Sequence, residues 1–147
     1  MLFDVLRKPI LASILRDRIV CLIITGVSIL QISLVILGLP AWQSPIHTFL
    51  GIPDPGCGLT RALVALLRAD WRTALTLHAF SPLFAAALVL FAISVILPHG
   101  QQEKMVSRVA TLEQNTGLTA ILLVSLVVYW LVRLLFFREA FLSLIGA

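Results

Sequence analysis

Charged residues are scarce in this chain. Asp, Glu, Lys and Arg make up 12% of its 147 residues, whereas 60% are hydrophobic and the mean hydropathy is +1.06. Soluble domains usually carry about 25% charged residues, so this composition excludes an ordinary soluble protein and predicts an integral membrane protein. The net charge of +4 comes from basic residues placed between apolar runs, which favours anionic lipid headgroups over nucleic acid as partners.

Cysteine and intramembrane charge are also rare. Cys21 and Cys57 lie at opposite ends of the first apolar run, and the ends of a crossing helix are about 30 Å apart. A disulfide needs Cα atoms within about 7 Å of each other, so none is predicted. The apolar runs hold no Asp, Glu or Lys, which argues against ion or proton transport by this chain.

Three apolar runs are each about 20 residues long, the length that crosses a bilayer. The sequence therefore predicts an all-α polytopic protein, a single membrane domain with three transmembrane helices plus a short interfacial or re-entrant helix. Pro40 should end the first span, Pro82 should either kink the second or lie in its first turn, and Asn115 or Thr116 should cap the third. The predicted spans are 19–39, 75–97 and 117–137.

Basic residues flank the first span. Residues 1–18 are expected to form an amphipathic helix in the headgroup layer, bent or started at Pro9, although a signal peptide is the competing interpretation. Pro98, His99 and Gly100 should end the second span, and the polar residues 101–115 are predicted to form a short surface helix. Six basic residues on these two segments against five on the opposite side favour a cytoplasmic N-terminus, in a bacterial inner membrane or a thylakoid membrane.

Special residues are concentrated in the stretch IPDPGCGLTR and the helical run that follows it, residues 52–72. Glycines allow tight turns that point backbone N–H groups at an anion, Thr60 could cap the next helix, and three arginines at helical spacing should share one face. The alternative is purely structural, with Arg61 paired to Asp54 or Asp70. The residues predicted to bind an anion or a partner are Gly56, Cys57, Gly58, Thr60, Arg61, Arg68 and Arg72.

Residues 53–83 resemble the signature of DUF2752, an uncharacterised bacterial membrane family. Its pattern, CPxCGxTR followed by a short helix, a Gly-Asp pair and a proline at the entry of a span, is matched by the CGLTR segment at 57–61, by Asp70 and by Pro82. Asp54 replaces the first cysteine of the pattern. Thiol exchange, which needs a resolving partner, is therefore not expected. The resemblance implies no established activity.

Other chemistry remains open. Zinc could be held by Asp54, Cys57, His47 and His78, but their spacing fits no known zinc pattern, so no metal site is predicted. His47 or His78 could serve as a base for a Cys57 nucleophile. His78 is also a possible axial ligand of a tetrapyrrole pigment, with chlorophyll and carotenoid as possible cofactors at the interface with partner subunits.

The sequence predicts a non-catalytic accessory or scaffolding subunit of a larger membrane protein complex, with larger integral membrane subunits and anionic lipids as partners. In size and span number it is similar to small peripheral subunits of photosynthetic complexes such as photosystem I. The alternative is a membrane enzyme or binding protein whose Cys57–Arg61 loop engages an anionic or thiol-reactive ligand.

Overall fold

The computed structural model describes residues 8–40, 58–136 and the single residues 49 and 139. Within them it contains seven α-helices and no strand, so the all-α prediction is confirmed for this part of the chain. The helices are α1 (Ile10–Arg16), α2 (Arg18–Ile36), α3 (Leu59–Leu67), α4 (Trp71–Leu77), α5 (Ser81–Ile96), α6 (His99–Thr116) and α7 (Leu118–Phe136).

Two helices, α2 and α7, are long and apolar enough to cross a membrane, and α4 with α5 makes a third candidate if the pair is counted as one bent span. The protein therefore has two to three candidate spans. In the 18-residue apolar stretch of α2 only 6% is buried within the protein, and in that of α7 none is. Such surfaces need lipid or another protein to cover them.

The described residues divide into two compact units, one drawn from Met1–Gly26 and Ala86–Ser125, the other from Val27–Ala85 and Leu126–Ala147. The core of the first unit consists of Ala12, Leu15, Cys21, Phe91 and Val106. Here α1, which begins after Pro9 as expected, packs against α6. The N-terminal amphipathic helix thus buries its apolar face on protein as well.

Side chains of α6 bind both ends of α1. The Glu113 carboxylate accepts hydrogen bonds from the backbone N–H groups of Leu11 and Ala12, at 2.8 and 3.1 Å. The Gln102 amide donates to the Leu15 carbonyl at 3.0 Å and to Ser94 Oγ at 3.1 Å. Both side chains are buried: Gln102 is 4% exposed and Glu113 is 3% exposed. These contacts satisfy backbone groups that a helix of one or two turns leaves open.

Glycines set the ends of two helices more directly than the predicted residues do. Helix α2 ends before Pro40: Gly38 has a φ of +69°, and the N–H groups of Gly38 and Leu39 bond to the carbonyls of Val35 and Leu34. This is a Schellman motif, which needs a left-handed residue. Similarly, Gly117, with a φ of +60°, separates α6 from α7.

The predicted cap of the third span is corrected by this. Asn115 and Thr116 do not cap that span, because both lie in the last turn of α6. The helix predicted in this polar segment is confirmed, and it runs from His99 to Thr116.

The predicted second span is interrupted. Helix α4 ends at Leu77, α5 begins at Ser81, and the two meet at an angle of 99°. Pro82 has no N–H to donate to the His78 carbonyl, so one helix cannot run through this point. Pro82 therefore lies in the first turn of α5 and does not kink it.

Candidate functional site

The candidate site lies at the start of α3, in the second unit. Gly58 precedes α3 with a φ of +84°, a left-handed conformation that glycine adopts without a steric penalty. A Cβ atom added here would lie 3.4 Å from the Leu77 carbonyl oxygen. Gly58, in the CGLTR segment, therefore lies beside the break between α4 and α5. Gly56 and Cys57 lie outside the described residues.

The first turn of α3 differs from the prediction at one residue. Gly58 occupies the N-cap position and no side chain caps the helix, so the expected cap from Thr60 is wrong: Thr60 is itself helical. Arg61 lies in the first turn, as predicted, and is exposed. The apolar face of α3 is buried through Ala62, Leu63, Val64 and Ala65.

The three arginines do not share one face of a single helix. Helix α3 ends at Leu67, Arg68 is its C-cap, and Ala69 has a φ of +60°. Asp70 then caps α4, its carboxylate accepting from the Thr73 N–H at 3.1 Å. Arg72 belongs to α4, so the helical spacing counted from Arg61 is interrupted.

The surface around this turn is strongly basic. Arg61, Arg68 and Arg72 are all exposed, and residues 58–77 hold Asp70 as their single acidic residue. Hydrogen bonds from the Thr73 side chain and, secondly, from its backbone N–H lower the pKa of Asp70 from its usual value of 3.8. This carboxylate therefore stays charged and is engaged in capping. The segment keeps a net charge of +2 at neutral pH.

His78 lies in the break and is buried. Its side chain is 1% exposed, and its ring lies 5.5 Å from the Tyr129 ring and 6.0 Å from the Phe84 ring, centroid to centroid. The backbone N–H of His78 continues the α4 pattern by bonding to the Ala74 carbonyl at 2.9 Å. The imidazole is thus enclosed by aromatic rings of its own chain.

The assignment of His78 as an axial pigment ligand stays a prediction. Phe80, Phe84 and Tyr129 lie around the imidazole, and these ring contacts do not test the binding of a tetrapyrrole. Among the described residues there is also no group of three or more His, Cys, Asp or Glu side chains that could hold a metal ion. The other residues considered for zinc, His47, Asp54 and Cys57, lie outside the described ranges.

Two residues of α7 stabilise the break. Arg133 donates to the Leu77 carbonyl at 2.6 Å and to the Tyr129 hydroxyl at 2.9 Å. The same hydroxyl accepts from the Ala79 N–H at 3.2 Å. Without these bonds the Leu77 carbonyl at the end of α4 and the Ala79 N–H would lose these partners, and an unpaired backbone group is costly in an apolar setting. A cation at a helix C-terminus is also electrostatically favourable.

Sequence reasoning missed this role for Tyr129 and Arg133. It placed both at the membrane interface, with Arg133 extending outward. One signal was available: the two residues are four apart on a helix and so share a face, opposite a run that contains proline. The arrangement at the break is structural, since its polar groups satisfy backbone atoms of the same unit.

The described site falls largely inside a region that matches a known family model. Residues 44–93 match the DUF2752 family, described as a protein of unknown function. This confirms the resemblance inferred from the sequence. The DUF2752 match covers α3, α4 and most of α5, and therefore includes the basic turn and the break. No curated protein and no solved structure matches the chain.

Proposed function

We propose that this protein is a non-catalytic accessory subunit that binds a larger integral membrane protein through the exposed basic segment of α3 and α4. The main support for the proposal is that several polar side chains of this unit already contact groups within the protein. Asp70 caps α4, His78 is buried among rings, and Tyr129 and Arg133 bond to backbone atoms. Arg68 and Arg72, by contrast, are exposed at the turn between α3 and α4.

The apolar surface supports the same proposal. Helices α2 and α7 bury almost nothing within the protein, so they meet lipid or the spans of a partner. Lipid tails can cover these helices but not a surface with three arginines. Acidic side chains of a neighbouring subunit, together with lipid headgroups, are the chemistry that such a surface recruits.

Three membrane crossings are supported by the contact between α1 and α6. Because Glu113 bonds to the N-terminus of α1, the two helices lie on the same side of the membrane. Helix α2 is 19 residues long, about 28 Å at 1.5 Å per residue, and carries the chain to the other side. A return is then required before His99, and the uncharged helix α5 supplies it.

The same argument supports the proposed orientation. Lys8, Arg16, Arg18, Lys104 and Arg108 then lie on one side, which the positive-inside rule assigns to the cytoplasm. Cysteines introduced as Glu103→Cys and Arg72→Cys in a chain carrying Cys21→Ala and Cys57→Ala test this. An impermeant maleimide should label position 72 in intact cells and position 103 only after lysis. Labelling of both positions in intact cells would contradict three crossings.

The subunit proposal is tested by gentle detergent extraction and native gel electrophoresis of the tagged chain. We expect migration with a complex much larger than the 16.1 kDa chain. The double variant Arg68→Gln, Arg72→Gln should leave that complex, whereas Lys104→Gln, Arg108→Gln, which removes the same charge elsewhere, should remain in it. A wild-type band at the mass of the chain alone would overturn the proposal.

The same gel separates the other candidates. A photosynthetic complex such as photosystem I is the specific assembly that the sequence suggested, and an absorption spectrum of the band tests it, since chlorophyll and carotenoid would colour it. The variant Cys57→Ala should assemble normally and keep its function in this proposal. Normal assembly with lost function would favour a catalytic or ligand-binding loop instead.

A further inference from the structure

An apolar groove runs along one side of α6, in the first unit. Its volume is about 340 Å³, and it is open to the surroundings along its length. The lining residues recur every three or four positions, so they form one continuous stripe of the helix. They are Leu97, Gln101, Lys104, Met105, Arg108, Val109 and Leu112.

The groove adjoins the face that binds α1 but is a different surface. Gln102, Val106 and Glu113 are buried against α1 and the core. Leu112, in the groove, is 61% exposed, and Lys104 and Arg108 are exposed as well. Met105 and Val109 are half-buried and pack in part against the core of the unit, so Leu112 is the most exposed apolar residue of the groove.

The charges of the groove are all of one sign. Lys104 and Arg108 are four residues apart, so their side chains are neighbours on the helix. Each directly precedes an apolar lining residue, Met105 or Val109, which lies about 100° further around the helix. The basic pair therefore forms one edge of the groove and the apolar residues form the other. Neither acidic residue of α6 lines it, since Glu103 lies outside the groove and the Glu113 carboxylate is bound to α1.

The position of α6 in the chain favours a location of this groove at the membrane surface. The helix directly follows the apolar α5 and directly precedes α7, a candidate span. An amphipathic helix in this position can lie in the headgroup layer, where acyl chains and phosphates are both within reach. A groove with one apolar edge and one basic edge matches that layer in chemistry.

We propose that the α6 groove binds an anionic phospholipid of the surrounding bilayer, with its phosphate between Lys104 and Arg108 and an acyl chain along Met105, Val109 and Leu112. Two cations at helical spacing can share one phosphate through charge-assisted hydrogen bonds. The proposal requires only that the protein is embedded in a membrane. It is independent of the partner proposed for α3 and α4, which belong to the other unit.

Native mass spectrometry of the purified, delipidated full chain tests the groove. Phosphatidylglycerol and phosphatidylcholine with identical acyl chains are added in equal amounts, and bound lipid is counted for each. The wild type should retain phosphatidylglycerol in preference. In the variant Lys104→Gln, Arg108→Gln, binding of phosphatidylglycerol should fall roughly tenfold or more, while binding of phosphatidylcholine stays the same.

The matched control is Lys8→Gln, Arg16→Gln, which removes one lysine and one arginine from exposed positions that do not line the groove and should keep the preference. Equal losses in the two double variants would show a general charge effect and overturn the site. A wild type that does not discriminate between the lipids would overturn it as well. So would a dimer that is abolished by the Lys104→Gln, Arg108→Gln change, because the groove would then bind a second copy.

The apolar edge is tested separately. Leu112→Ser should weaken retention of both lipids, whereas Leu67→Ser, at a leucine of α3 that is 69% exposed, should not. Both positions are on exposed helix surfaces, and circular dichroism confirms that each variant keeps its helix content. Unchanged lipid binding in Leu112→Ser would show that no acyl chain lies in the groove and would contradict the proposal.

Discussion

Gln102 and Glu113 lie eleven residues apart on one face of α6 and bind opposite ends of α1. Glu113 accepts from the first N–H groups of α1, and Gln102 donates to the carbonyl of Leu15 near its C-terminus. Val106, between them, is buried in the same core. A seven-residue helix has little stability of its own, so α1 depends on these contacts. The chain segment before α2 is thereby fixed to the segment between α5 and α7.

Loss of the Glu113 carboxylate should release the start of α1. We expect Glu113→Ala to lower the free energy of unfolding by about 1–2 kcal/mol, since two N–H groups lose their acceptor and Thr119 loses its partner. Hydrogen exchange should accelerate at the amides of Leu11 and Ala12. Glu103→Ala, on an exposed position of the same helix, is the control. Equal exchange in the two variants would contradict the capping role.

Removal of the Arg133 guanidinium should destabilise the break between α4 and α5. Arg133→Gln cannot reproduce its charged bonds to the Leu77 carbonyl and to Tyr129, and bonds to charged groups contribute about 1.5–3 kcal/mol. Unfolding in mixed detergent micelles measures the loss. Arg72→Gln, at an exposed arginine of α4, should change the stability by about 0.5 kcal/mol or less. A comparable loss in both variants would show that charge alone matters.

Tyr129 can be tested at a single backbone atom. Its hydroxyl accepts from the Ala79 N–H, so Tyr129→Phe should accelerate hydrogen exchange at Ala79 while the rings around His78 keep their packing. The change should cost about 1 kcal/mol. Phe84→Leu, which alters the same aromatic cluster without touching this bond, is the matched control. Protection of Ala79 in both variants would contradict the assignment.

The helices could be predicted because the length of an apolar run, and the prolines and glycines at its ends, are local properties of the sequence. The predicted first and third spans, 19–39 and 117–137, agree with α2 and α7 within a few residues. The interruption at residues 78–80 was less visible, because apolar character continues through it from Leu75 to Leu97. Apolar composition indicates that a segment lies in a membrane, but it does not locate a break in the helix. The break depends on a backbone property, the missing N–H of Pro82.

The polar contacts were not predictable from spacing. Glu113 and Gln102 lie in the most polar part of the chain, where a buried side chain is not expected. Their partners in α1 are separated from them by 86 or more positions. The basic character of residues 58–77 is a property of the sequence itself, but the division of its arginines between α3 and α4 depends on the left-handed turn at Ala69.

That turn itself offers a test. Ala69 has a φ of +60°, and the N–H groups of Ala69 and Asp70 bond to the carbonyls of Leu66 and Ala65, which is a Schellman motif. A left-handed alanine costs about 1–2 kcal/mol. Glycine avoids this steric cost, but part of the gain is lost because glycine gives up more conformational entropy on folding. Ala69→Gly should therefore raise the free energy of unfolding by about 0.5–1 kcal/mol, measured in mixed micelles. Ala79→Gly, an alanine with a negative φ, should not stabilise; gains at both positions would contradict the argument.

The cap of α4 should depend on pH. Thr73 lowers the pKa of Asp70 below its usual value of 3.8, so the folded state holds the carboxylate in its charged form more strongly than the unfolded state does. The stabilisation is complete above the unfolded pKa, near pH 4, and is lost as the pH falls through the lower folded pKa. Amide exchange at Thr73, corrected for its intrinsic pH dependence, should lose protection over this acid range. Asp70→Asn should show no such step, because an asparagine cap does not titrate; a step of equal size in that variant would assign the titration to another group.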